Sequence, residues 1–117
     1  MNILYIEDDA IPQRVVKRVA AHMGHVVLCA TTCAKGYMLA HQPVDLILLD
    51  VNLPDDNGLN LAKRLRAEQI TTPIVVVTGD LFGCDRDMAL AAGCTDFRAK
   101  PLLTDDVKAL FTQYAVN

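Results

Sequence analysis

The sequence predicts an α/β fold, a doubly wound parallel sheet of five strands with helices on both faces. Three observations carry this. Short β-branched and apolar runs alternate with helix-period segments five times along 117 residues. The central runs, 46–49 and 74–77, are apolar without a break, as in strands buried on both faces. Glycine, proline and capping residues punctuate each change of period. Parallel neighbours need crossovers, and right-handed crossovers place helices on both sides of the sheet.

Asn2-Ile3-Leu4-Tyr5-Ile6 is the first strand. Residues 10–23 then carry Ile11, Val15, Val19 and Met23 on one helical face and Arg14, Lys17 and Arg18 on the opposite face, with Gly24 as the stop. Asp9 precedes this helix and Pro12 lies in its first turn, so Asp9 is placed to cap it, with duty at a cation as the alternative. Residues 25–30 form the second strand, and Thr31 or Thr32 caps a helix that reaches about residue 41 before Pro43 closes it. The third strand is 45–49, followed by an Asp/Asn/Pro loop at 50–57 and a helix at 58–69 with Leu61, Ala62 and Leu65 inward. Pro73 leads into the fourth strand, and beyond Thr78-Gly79 a short Ala-rich helix occupies about 84–92, ended by Gly93. Residues 95–99 form the fifth strand. Thr104 is the expected N-cap of the last helix, with Asp105 and Asp106 at the positive end of its dipole and Val107, Leu110, Phe111 and Tyr114 at helical spacing.

Composition narrows the function. A chain of 117 residues, 52% apolar and 21% charged, reads as one domain over residues 1–117 able to bury a core. Its longest apolar runs are five residues, too short for a membrane span. Acids at 7–9 occupy the stretch where a signal peptide needs apolar residues, which predicts a cytoplasmic protein without a membrane partner. A net charge of −3 with dispersed basic residues argues against nucleic-acid binding. Twelve of the fourteen acids are Asp, the short carboxylate of turns, caps and metal sites. Cys29, Cys33, Cys84 and Cys94 lack metal or redox spacing and read as inert, buried thiols, and His22, His25 and His41 read as surface or strand-end residues.

In an open parallel sheet, ligands bind beyond the carboxyl ends of the strands. Glu7-Asp8-Asp9, Asp50, Thr78 and Lys100 stand at four of those ends. Carboxylates converging from two strand ends repel unless a cation sits among them, and an oxygen-only site that keeps waters suits Mg²⁺. A carboxylate nucleophile, a divalent ion, a hydroxyl donor and an ammonium form the set that phosphoryl transfer to an aspartate requires.

Ile6-Glu7-Asp8-Asp9, Leu48-Leu49-Asp50-Val51-Asn52-Leu53-Pro54, Val77-Thr78-Gly79 and Ala92-Gly93-Cys94-Thr95-Asp96-Phe97 through Lys100-Pro101 resemble the receiver domain of bacterial two-component response regulators, the CheY-like superfamily with its flavodoxin-like (βα)5 fold. The resemblance implies Asp50 as phosphoacceptor, and Asp8, Asp50 and the Asn52 backbone carbonyl as Mg²⁺ ligands, with Glu7 acting through water. It further implies Thr78 as the switch hydroxyl, Lys100 as the phosphate-binding lysine, Phe97 as a switch aromatic and a cis bond between Lys100 and Pro101. Phe97 also reads as plain core. Glu7 departs from the commoner Asp of the acidic pair, lengthening its reach without removing charge. The implied partners are a histidine kinase or histidine phosphotransfer protein, for which Arg14, Lys17 and Arg18 offer a docking face, and a downstream protein at the face formed by the fourth helix, fifth strand and fifth helix. The chain is then no classical enzyme and catalyses only its own phosphorylation and dephosphorylation, alone or as a module of a hybrid kinase or multidomain regulator.

Rival readings fare worse. An aspartyl-phosphate phosphohydrolase needs an acid/base two residues beyond its nucleophile, where this chain has Asn52, and a cap for which there is no room. A flavodoxin-like cofactor binder needs a phosphate loop after the first strand, where three acids would repel phosphate. A calcium loop starting at Asp50 fails because its twelfth residue is Leu61.

Overall fold

In the computed structural model, residues 1–115 are described. The elements are β1 (Asn2–Ile6), α1 (Ala10–Met23), β2 (Val26–Ala30), α2 (Cys33–Ala40), β3 (Leu46–Leu49), α3 (Gly58–Ala67), β4 (Ile74–Thr78), α4 (Arg86–Ala91), β5 (Asp96–Ala99) and α5 (Thr104–Tyr114). The five strands form one parallel sheet in the order β2-β1-β3-β4-β5.

Alternation along the strands splits the core in two. Leu4, Ile6, Ile47, Leu49, Ile74, Val76 and Phe97 pack on one side against α2, α3 and α4 through residues such as Ala40, Leu61, Leu65 and Ala89. Ile3, Tyr5, Leu46, Leu48, Val75 and Val77 meet Val16, Val19 and Ala20 of α1 and Val107, Leu110 and Phe111 of α5 on the other. Complete burial of such aliphatic side chains contributes about 1.5–3 kcal/mol each. Among the described residues, no helix is long and apolar enough to cross a membrane.

Most helix starts follow the capping expectation. Asp9 accepts from the Ile11 N–H at 3.0 Å and Thr32 from Lys35 at 3.1 Å. The last helix does not. Thr104 is its first residue rather than its N-cap, and Leu103 holds the cap position, its N–H donating to the Asp106 carboxylate at 2.8 Å. Leu103 offers no side-chain acceptor, so the reach back from Asp106 replaces a hydroxyl cap. Ile11 is a second correction: it is 70% exposed, because α1 turns its Val16, Val19 and Ala20 face to the sheet. The short helix also begins later than its composition suggests, since Cys84 belongs to a turn closed on Asp80 and Asp85 caps α4 through Met88. His25 lies before β2, its N–H given to the Ala20 carbonyl.

The chain passes from β1 out to β2 and back across to β3, so a crevice opens beyond the carboxyl ends of β1 and β3. The loop leaving β3 is pressed against the start of α3, where the Gly58 N–H donates to the Val51 carbonyl at 2.7 Å. A Cβ at Gly58 would run into the Asp50 carbonyl oxygen and lie 3.2 Å from Leu49 Cδ1. Gly58→Ala is therefore expected to destabilise the fold by about 3 kcal/mol, the upper range for overpacking. Urea unfolding measures this, and a loss under about 0.5 kcal/mol, the level of an ordinary surface change, would contradict it.

Candidate functional site

Strand register assembles the site. Ile6 and Leu49 are partners, so Glu7 and Asp50 leave the sheet side by side, their N–H groups held by the Ala30 carbonyl at 2.8 Å and the Ile6 carbonyl at 3.0 Å. Thr78 pairs with Ala99, and the next residue, Lys100, donates its N–H to the Thr78 carbonyl at 2.9 Å. Lys100 precedes a cis peptide bond to Pro101, as the sequence motif implies. From the end of β5 its ammonium reaches over β4 to Glu7 Oε1 at 2.7 Å and Asp50 Oδ2 at 3.3 Å. Asp50 Oδ1 accepts from the Val51 N–H at 2.7 Å, which fixes the carboxylate plane. The Gln13 side chain donates to the Glu7 carbonyl at 2.6 Å and braces the acidic segment from α1.

One oxygen each from Glu7, Asp8 and Asp50 lies within 4.8 Å of the others. At that spacing two unit charges repel by about 3 kcal/mol at an effective dielectric near 20. Glu7 is fully buried, Asp50 is 7% exposed and Asp8 is exposed. Burial first, then the neighbouring Asp50, pushes the Glu7 carboxyl up to about 8. Burial pulls the Lys100 ammonium down, but Glu7 and Asp50 outweigh it and hold Lys100 above its ordinary value. Glu7 Oε2 is the buried side-chain oxygen left without a hydrogen-bond partner among the described residues. An all-oxygen donor set with surplus negative charge and an orphaned buried acceptor fits a hard divalent cation with its waters.

The remaining expected residues sort themselves. Asp9 is turned to its cap on α1. Thr78 is buried at the end of β4, its Oγ1 accepting from the Asp80 N–H at 3.0 Å. Asn52 is exposed, and its carboxamide donates to Asp80 Oδ2 at 3.2 Å. Phe97 is buried in the core cluster with Ala89 and Cys94. Cys33, Cys84 and Cys94 are buried free thiols, and burial pushes Cys33 up to about 12 and Cys94 up to about 11.

Two acids escaped sequence reasoning. Asp80, bonded to both Asn52 and Gly83, was marked by nothing beyond a Thr-Gly-Asp turn. Asp55 accepts from the Cys33 and Ala34 N–H groups at 2.8 and 3.0 Å and so adds a second cap to α2 from a distant loop, a contact no local pattern announces.

Residues 3–112 match the response regulator receiver domain family. The TorCAD operon transcriptional regulatory protein TorR of Escherichia coli K12 is 38% identical over 102 residues, covering 86% of this chain and 44% of that protein. The virulence transcriptional regulatory protein PhoP of Shigella flexneri is 32% identical over 111 residues, covering 93% and 49% respectively. The chain thus spans about half the length of these relatives. Among solved structures, the receiver domain of TorR superposes with a TM-score of 0.81 at 35% identity, covering 97% of this chain and 98% of that one. The receiver domain of a sensor histidine kinase from Pseudomonas aeruginosa PAO1, solved with a magnesium ion coordinated in its active site cleft, gives a TM-score of 0.85 at 27% identity, covering 97% and 95%.

The crowding of Glu7 against Asp50 has a measurable consequence. Glu7→Gln keeps the shape of the head group, removes the cost of protonating on folding a carboxyl that is raised to about 8, and supplies an N–H₂ beside Asp50. Without divalent cations at neutral pH, this variant is expected to be more stable than the parent by about 1 kcal/mol, the net value of one satisfied hydrogen bond. Thermal unfolding in chelator should show a rise of several degrees, about 4 °C or more for a domain of this size. A lowered midpoint would contradict the repulsion.

Proposed function

Since this chain belongs to the response regulator receiver family, we propose that Asp50 accepts a phosphoryl group from a histidine on a partner kinase or phosphotransfer protein and that the modified chain switches a protein-binding face. The observation that carries the reading is the Lys100 ammonium set 3.3 Å from Asp50 at the floor of a cluster of three carboxylates. A buried lysine pairs readily with one acid, whereas three acids against one lysine leave charge for a cation and a phosphoryl group to balance.

In the proposed transfer, the bond from phosphorus to the donor imidazole nitrogen breaks as a bond to an Asp50 oxygen forms. Asp50 is aligned for this by the Val51 N–H on Oδ1. Lys100 pairs with the phosphoryl oxygens, and the Thr78 hydroxyl has a proton left to donate while it accepts from Asp80. Mg²⁺ would be held by Asp8, Asp50 and the Asn52 backbone carbonyl, with Glu7 acting through water. When bound it neutralises charge on the phosphoryl oxygens. Response regulator receivers are generally not classical enzymes, and the proposed chemistry is limited to the chain's own phosphorylation and slow hydrolysis, in the cytoplasm.

Receiver domains of response regulators interact with histidine kinases and effector domains. For the donor we assign the rim beside Lys100, where Ile11, Pro12, Val15, Pro101, Leu102 and Leu103 line an apolar groove of about 300 Å³. Arg14, Lys17 and Arg18 lie exposed on the same helix. The downstream partner is assigned to the face of α4, β5 and α5, where Met88 and Leu90 are exposed. Action through a protein partner rather than nucleic acid follows the net charge of −3 and dispersed basic residues. The length of TorR and PhoP favours a second arrangement, the same receiver working as one module of a multidomain regulator.

Incubation with acetyl phosphate and a magnesium salt should add one phosphoryl mass to the protein and none to Asp50→Asn; labelling that persists undiminished in the variant would sink the assignment. Separately, removal of one direct carboxylate ligand in Asp8→Ala is expected to weaken Mg²⁺ binding by about tenfold or more, since each decade corresponds to about 1.4 kcal/mol. Titration of both proteins decides it, and equal affinities would exclude Asp8 as a ligand.

A further inference from the structure

Asp80 is the hub of the turn between β4 and α4. Its N–H donates to Thr78 Oγ1 at 3.0 Å, its carbonyl accepts from Cys84 at 3.0 Å and its Oδ1 accepts from the Gly83 N–H at 2.8 Å. These bonds fold the turn on itself. The fourth, from Asn52 Nδ2 to Asp80 Oδ2 at 3.2 Å, crosses to the loop that leaves Asp50, and among the described residues it is the hydrogen bond joining the two loops.

We infer that the Asn52–Asp80 bridge is a latch, holding the β4–α4 turn and Thr78 in the resting position and opening when Asp50 carries a phosphoryl group. The inference rests on the reading of Asp50 as the acceptor. Three features support the latch. Thr78 is bonded to the Asp80 backbone, so a threonine drawn toward a phosphoryl oxygen pulls on the residue that the bridge holds. Asp80 has no ion-pair partner among the described residues, so the added charge of about −1.5 to −2 on a phosphorylated Asp50 repels an uncompensated carboxylate. The Gly83 backbone lies directly against that carboxylate and donates to it at 2.8 Å, so the turn and the carboxylate held by the bridge move together. The bridge is solvent-exposed and 3.2 Å long, so exchange for water is inexpensive. Release reaches α4 directly, because Cys84 hangs on the Asp80 carbonyl and Asp85 caps the helix.

Asn52→Ala removes the bridge and leaves the Gly83 bond to Asp80 in place. In the absence of ligand, its amide resonances for residues 80–92 should move along the line toward their positions in the parent bound to fluoroberyllate and Mg²⁺, and the Gly83 and Cys84 amides should exchange faster. Relieving a resting state raises apparent affinity by the gain in competent fraction, here about two- to fivefold for fluoroberyllate. Asp80→Ala should do the same, the double variant should add nothing further, and Asp80→Asn, which keeps its oxygen at Gly83 and can accept the bridge again once the Asn52 carboxamide turns to present its own oxygen to the new N–H₂, should keep resting shifts. Unchanged exchange at Gly83 and Cys84 in Asn52→Ala, or shifts confined to residues 51–53, would overturn the latch with the acceptor reading intact. A parent that shows no response to fluoroberyllate would instead overturn the acceptor reading, and the trigger with it.

Discussion

Three carboxylates crowd together at the crest of the sheet, two of them, Glu7 and Asp50, sharing one lysine, and the rest of the molecule is arranged to keep them there. Left to themselves, the three groups would separate, and the pKa of Glu7, raised by burial and by Asp50, registers the crowding. What resists it is the pairing of Ile6 with Leu49 in the middle of a sheet buried on both faces. A shift of either strand by one residue would exchange its side chains between two clusters packed to fit the present set and would bring Glu7 or Asp50 into the apolar sheet. The local cost of the acids is therefore spread over two hydrophobic clusters. Lys100 completes the arrangement from the opposite side, and its position is likewise set by register, through the pairing of Thr78 with Ala99.

This dependence on register explains what could be read from sequence. A parallel strand buried on both faces announces itself by an unbroken apolar run, and its carboxyl end is wherever that run stops. Glu7, Asp50 and Thr78 are defined in this way, while Lys100 follows a mixed strand, Asp96-Phe97-Arg98-Ala99, and was placed by the fifth strand–helix alternation and the Lys100-Pro101 motif. Contacts that depend on how a loop closes left no such mark. Asp55 and the first amides of α2 are separated by 21 and 22 residues. Asp80 meets Asn52 across 28. Ile11 failed for a related reason: the apolar stripe of α1 was legible, but which edge of it overhangs a groove beside Pro101 depends on the docking of a helix, not on its period. At α5 the expectation of a hydroxyl cap lost to a carboxylate one turn on, because the extended chain after Pro101 enters the helix one residue early.

Beyond its closure on the start of α3, the loop after β3 is tied toward α2 and toward the β4–α4 turn, and the two ties are unequal. On the α2 side, Asp55 accepts two helix amides at 2.8 and 3.0 Å, charge-assisted bonds at the positive end of a dipole. On the α4 side, one exposed carboxamide bond of 3.2 Å does the work. A disturbance centred on Asp50 meets a firm anchor in one direction and a weak one in the other. Transmission toward α4 rather than α2 then follows from the ordering of bond strengths, without any need for a dedicated pathway.

What receives the disturbance is a connected plate. Asp96 of β5 binds Arg86 of α4 at 2.5 Å and Arg98 at 2.6 Å, and Arg98 reaches Gln113 of α5 at 3.3 Å. Arg86 also donates to the Phe97 carbonyl at 3.3 Å and stands 6.0 Å over the Phe97 ring. The ring is buried and roofed, so its rotation cannot be the first event at this face; the arginine would have to leave before the aromatic could. If the proposed latch opens, movement would begin in the turn that carries α4, and Arg86, leaving with that helix, would loosen Phe97. On that proposal the aromatic follows the helix, and the order of events is set by which polar contact lies outermost.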